Sequence, residues 1–179
     1  MALVQEKGYT VEDIYNLPDG ERAELIDGQI YMMSTPSSGH QRIVHFLDRS
    51  IGNYVSDRGG DCEVFPAPFA VYLNNDDRTY LEPDLSIICD PDTVDDKGCK
   101  GAPDWIIEIV SPSTQHRDYL IKLFKYRTAG VREYWIVDQG KNRITVYNFE
   151  NDTLDEYDFT ESVKAGTYND FEIDFSCLL

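Results

Sequence analysis

The run Trp105-Ile-Ile-Glu-Ile-Val110 holds one ionisable side chain, Glu108, among apolar residues. A carboxylate buried without a partner costs several kcal/mol, so Glu108 needs a metal ion or a lysine beside it. Asp84 opens a second β-rich run, Asp84-Leu-Ser-Ile-Ile-Cys89, directly after Pro83. If the two runs pair, their carboxylates can share a hard cation, because magnesium takes oxygen ligands, usually one or two carboxylates completed by water and substrate phosphate. Lys122 lies on a helical stretch after the Glu108 run, one turn beyond Asp118 and one before Tyr126. Packed over the strand, its ammonium could reach the carboxylates and stabilise negative charge developing on phosphorus. The alternative is a surface Asp118–Lys122 pair at i, i+4, worth a few tenths of a kcal/mol.

These residues need strands and helices to bring them together. Thr10 to Asn16, with Asp13 three residues after Thr10, predicts a short capped helix ending before Pro18. Asp27-Gly28 between the apolar-rich runs 22–26 and 29–33 predicts a β-hairpin. From His40 to Val55 apolar residues recur at three- and four-residue intervals, as on an amphipathic helix. Strands are expected at Cys62 to Phe65, Phe69 to Leu73 and Asp84 to Cys89, and a polar loop from Asp90 to Pro103. The near-continuous apolar run at 105–110 suits a strand buried on both faces. A helix follows from Gln115 to Ala129, stopped by Gly130, then strands at 133–138 and 143–149. Strand, helix and strand around Glu108 read as a βαβ-like core, and the acidic stretch 150–179 as meander and strand.

Composition narrows the function classes. The 179 residues suit one domain, and 41% hydrophobic residues with 12% aromatics are too many for a disordered acidic chain. No apolar stretch is long enough to span a bilayer and the start lacks a leader pattern, so no membrane role and a cytoplasmic location are expected. Cys62, Cys89, Cys99 and Cys177 form no CxxC pair and are expected to be reduced. The net charge of −17 repels phosphate backbones and argues against a nucleic-acid coat protein. Charge is uneven, however: residues 116 to 132 hold Arg117, Lys122, Lys125, Arg127 and Arg132 against one acid, Asp118. A polyanion would approach there. His45 and His116 lack the spacing of a zinc hydrolase, and Ser111 and Ser113 lack a G-x-S-x-G elbow.

Several short motifs occur in order: Glu24-Leu-Ile-Asp-Gly28, Pro83-Asp84-Leu, Glu108-Ile-Val-Ser-Pro-Ser-Thr114, Asp118 with Lys122 and Tyr126, and Gly130-Val-Arg-Glu-Tyr-Trp-Ile-Val-Asp138. Together they resemble the Uma-two family of restriction-endonuclease-like proteins, in the PD-(D/E)XK nuclease superfamily, most strongly over residues 9–149. The resemblance implies an α/β (α+β) fold, a mixed β-sheet flanked by helices with an added N-terminal β-hairpin. It implies Asp84 and Glu108 as ligands of Mg2+ or Mn2+, with the main-chain carbonyl of Val110 as a further ligand. The superfamily pattern places a lysine two residues after the Glu, where this chain has Val110. Lys122 looks like the migrated substitute, with Lys125 one turn away as the weaker candidate. Glu24 and His40 match positions that the family places near the cleft; otherwise Glu24 is a solvent-facing strand residue and His40 a helix-start residue bonded to its loop.

The activity so implied is metal-dependent hydrolysis of nucleic-acid phosphodiester bonds, with DNA the expected substrate and a homodimer plausible for cutting both strands. A rival reading keeps the fold as a catalytically inactive binding or assembly module, marked by the missing lysine. A carboxylate-pair glycosidase has no independent support in the sequence.

Overall fold

The computed structural model describes residues 8–74, 76–111 and 114–179. Pro112 and Ser113, in the expected helix entry, lie outside them. The elements run in the order α1 (Val11–Tyr15), β1 (Ala23–Ile26), β2 (Gln29–Met32), α2 (Ser38–Asp57), β3 (Glu63–Pro66), β4 (Val71–Tyr72), β5 (Leu85–Ile88), β6 (Val94–Asp95), β7 (Gly98–Lys100) and β8 (Trp105–Val110). A π-helical turn (Arg117–Lys122) then leads into α3 (Leu123–Ala129), followed by β9 (Glu133–Asp138), β10 (Arg143–Asn148), β11 (Thr153–Asp158), β12 (Ser162–Lys164) and β13 (Glu172–Asp174).

A six-stranded mixed sheet, ordered β11-β10-β9-β8-β5-β3, forms the centre. β8 and β9 are parallel, joined by the π-turn and α3, while the other neighbours are antiparallel. All six residues of β8 are buried, as the apolar run required. Alternation then divides its side chains between two cores. Trp105, Ile107 and Ile109 pack with Ile43, Leu47 and Ile51 of α2 on one face. Ile106 and Val110 share the opposite face with Tyr126 and Tyr134, and Glu108 has their parity.

The hairpin β1–β2 turns at Asp27 and Gly28, both with positive φ (52° and 80°), the geometry that favours Asp-Gly. Its first strand also pairs with the Tyr80 region: Leu25 and Tyr80 exchange backbone hydrogen bonds of 2.7 and 2.8 Å. At α1, Asp13 Oδ2 accepts from Thr10 N at 2.7 Å, closing the helix start that the sequence suggested.

Three local expectations need correction. The 90–103 segment is not all loop: β6 and β7 join β4 in a three-stranded sheet ordered β4-β7-β6. Gly98 permits this close pairing, since its φ is +135° and a Cβ there would lie 2.2 Å from the Ala70 carbonyl oxygen. The helix from Gln115 to Ala129 is also not uniform, because its first part is π-helical. Cys62 and Cys89 are joined in a disulfide, with Cα atoms 3.9 Å apart, rather than reduced. The β3–β5 register pairs Glu63 with Ile88, and one further step sets the two cysteines opposite each other. Cys99 and Cys177 are free thiols.

Candidate active site

The register that pairs Leu85 with Ile107 places Asp84, one residue before β5, across from Glu108 in β8. Asp84 Oδ2 accepts from the Ile109 amide at 2.8 Å and contacts His40 Nε2 at 3.1 Å. His40 reaches it from the first turn of α2, which Ser37 caps by accepting from the His40 amide. The π-turn lies over the Glu108 face and carries Lys122 inward. Its Nζ is 2.6 Å from Glu108 Oε1, 2.8 Å from Glu24 Oε1 and 3.7 Å from Asp118 Oδ1. Tyr126, one turn on, donates to the same Glu108 oxygen at 2.8 Å. Glu24 is fully buried on β1, not solvent-facing, and its Oε1 also accepts from the Glu82 amide at 3.2 Å.

Asp84, Glu108, Lys122, Glu24, His40 and Val110 all line one cavity of about 600 Å3. Arg22, Glu82, Arg117, Asp118 and Gln139 also line it, and of these the sequence drew attention to Asp118 and, for charge alone, Arg117. Lys125, the weaker lysine candidate, instead pairs with Asp27 at the hairpin turn.

Burial dominates the protonation of this cluster. It pushes Glu108 up to about 8, against the pull of Lys122 and with help from the charges of Asp118, Asp84 and Glu24. The proton belongs on Oε2, because Oε1 accepts from both Lys122 and Tyr126. Burial alone would lower Lys122, but Glu108, Glu24 and Asp118 outweigh it and hold the ammonium above its ordinary range. Asp118 is raised by burial, partly offset by Lys122. His40 is raised as well: burial opposes its charge, and the hydrogen bond and charge of Asp84 prevail.

A family model described as "Uma2: Putative restriction endonuclease" matches residues 11–176. The chain belongs to the Uma2 family. Two Synechocystis sp. (strain ATCC 27184 / PCC 6803 / Kazusa) proteins resemble this Uma2 chain. "Uncharacterized protein slr1290" is 30% identical over 133 residues, covering 74% of this chain and 68% of the relative. "Uncharacterized protein sll1609" is 27% identical over 130 residues, covering 71% and 72%. A crystal structure described as "a putative nuclease belonging to DUF820", from Anabaena variabilis ATCC 29413, superposes with a TM-score of 0.76, covering 95% of the Uma2 chain and 99% of the other. Identity there is 20%, so the likeness concerns the fold. The mixed sheet with flanking helices agrees with the architecture that the motifs implied.

Among the described residues of this Uma2 chain, no group of three or more His, Cys, Asp or Glu side chains is arranged to hold a metal ion. The facing pair Asp84 and Glu108 is a smaller donor set of the kind that magnesium accepts when water and substrate complete the shell. Hydrogen bonds engage one oxygen of each carboxylate. No described residue donates to Asp84 Oδ1 or Glu108 Oε2, so each acid has an oxygen for a cation once Glu108 has given up its proton. The donors therefore fit a hard divalent ion. No helix among the described residues is long and apolar enough to cross a membrane.

Proposed function

We propose that this chain is a metal-dependent endonuclease that hydrolyses nucleic-acid phosphodiester bonds, with DNA as substrate. The observation that carries the reading is the convergence of Asp84, Glu108 and Lys122 on one open cavity, with the lysine delivered by the π-turn rather than by the strand. Asp84 and Glu108 would hold Mg2+ or Mn2+, with the Val110 main-chain carbonyl as a further donor. Such a cation, when bound, acidifies water and offsets charge at phosphorus.

The chain's own groups supply the rest. Lys122 keeps its proton, so it acts as a fixed positive donor that orients water and stabilises oxyanion charge, not as the base that removes a proton. Water forms the new bond to phosphorus as the bond to the leaving oxygen breaks, the water's proton passes to bulk solvent and the leaving oxygen takes one up from it, and no covalent enzyme intermediate is required. Glu24 and Tyr126 fix Lys122 and Glu108 in position. His40 orients Asp84 through the 3.1 Å contact. A homodimer would present two such sites to the strands of a duplex.

The test is nicking of supercoiled plasmid at low salt by the parent protein and Glu108→Ala, each with magnesium, manganese or chelator. The proposal expects nicking by the parent with metal and neither nicking in chelator nor by the variant. Nicking that survives in Glu108→Ala would refute the assigned site. One observation favours a second reading, a non-catalytic binding module: Glu108 already has two donors, Lys122 and Tyr126, and needs no metal for its burial to be tolerated. That reading expects no cleavage and no stabilisation by divalent cations.

A further inference from the structure

Among the described residues, the cavity wall includes three lysine and arginine side chains, Arg22, Arg117 and Lys122. Two of them are committed. Arg22 Nε donates to Glu82 Oε2 at 2.9 Å, and Lys122 is held between Glu24 and Glu108. Arg117 differs. Its side chain is 15% exposed, yet its nearest acid, Glu24 Oε2, is 3.6 Å from its Nε, beyond hydrogen-bond reach. That Nε is buried without a partner, as is the Glu24 oxygen facing it. The guanidinium donates no hydrogen bond to any described residue. It is held at the opening of the π-turn with its Cζ 5.3 Å from the centre of the Tyr31 ring.

A guanidinium cannot shed its charge, and its planar fork of five N–H donors matches the oxygens of a phosphate in pairs. The cavity also has an electrostatic need for it. Glu24, Glu82, Asp84, Glu108 and Asp118 face the same space, so an entering phosphate needs a cation with donors to spare. Among the described residues, Arg22 and Lys122 each give donors to carboxylates, whereas Arg117 gives none.

We propose that Arg117 is the anion-binding residue of this cavity, taking the non-bridging oxygens of a phosphate beside the Glu24–Lys122–Glu108 cluster. The inference deepens the proposed function and rests on it for the identity of that phosphate as part of a polynucleotide strand.

The test is binding of a short fluorescent single-stranded oligonucleotide in chelator, by anisotropy over a range of salt, for the full chain and for Arg117→Gln and Arg117→Lys. Each variant's unfolding transition is recorded alongside. Arg117→Gln should bind at least tenfold more weakly, and its log K should fall less steeply with log salt, by about 0.7 for one lost phosphate contact on a single strand. Arg117→Lys keeps the charge and loses the fork, so it should retain the parent's salt slope with intermediate affinity. This pattern would not arise from a merely structural arginine, and the lysine variant carries the test if the glutamine variant fails to fold. Equal affinity and equal salt slope in folded variants would overturn the proposal, as would a parent that does not bind at low salt. Plasmid cleavage is read separately. Arg117-dependent binding without cleavage under any metal would remove the nuclease reading and leave the anion site standing, whereas cleavage with Arg117-independent binding would do the reverse.

Discussion

Lys122 bridges two buried carboxylates from different parts of the chain, with its Nζ 2.6 Å from Glu108 Oε1 on the central sheet and 2.8 Å from Glu24 Oε1 on the N-terminal hairpin. This ammonium ties the hairpin, the π-turn and β8 together at one point. Removing it leaves two acids buried near Asp118 without their main counter-charge.

Lys122→Met, which preserves much of the side chain's bulk, should therefore destabilise the fold by about 3–5 kcal/mol, the usual cost of breaking a buried pair from one side. Adding Glu24→Gln to it should recover part of the loss, because one uncompensated charge is then gone. Urea unfolding of the two single variants and the double variant measures this. Additive losses would show that the two side chains are not coupled.

The raised Glu108 predicts a pH effect of defined sign. Its folded value of about 8 exceeds the ordinary 4.5, so between these limits the folded state binds more protons than the unfolded chain. Its stabilising contribution is complete below pH 4.5 and is lost as pH rises through about 8. The unfolding free energy of the parent minus that of Glu108→Gln should thus decline across this window. Parallel profiles for the two proteins would contradict the assignment.

The cysteine pairing is equally open to measurement. Thiol titration of the protein denatured without reductant should find two thiols, Cys99 and Cys177. Prior reduction should reveal all four cysteines. Four thiols before reduction would show that Cys62 and Cys89 are not joined.

What could be read from the sequence followed local pattern. Asp27-Gly28 announced the hairpin turn, Thr10 and Asp13 the first helix start, and the apolar run around Glu108 a strand buried on both faces. The placement of Asp84 across from Glu108 followed once those two strands paired. Long-range register was the hidden part. Nothing in the spacing of Cys62 and Cys89 says that β3 and β5 lie side by side, and β6 and β7 are too short to leave an alternating pattern. The π-helical turn was also invisible, since Tyr119, Leu120, Leu123 and Phe124 suit an α-helix equally well. Arg117 drew notice for its charge, but its lack of an acceptor becomes apparent only once the neighbours are in place.

Whether the facing carboxylates take a cation separates a hydrolase site from a purely structural network. Isothermal titration of Mn2+ onto the parent and Asp84→Asn near pH 7 tests this most directly. The parent should bind Mn2+ saturably, with proton release as Glu108 ionises, and Asp84→Asn should show no such binding. A parent that binds no Mn2+, or an Asp84→Asn variant that binds it equally well, would show that Asp84 and Glu108 do not form a cation site.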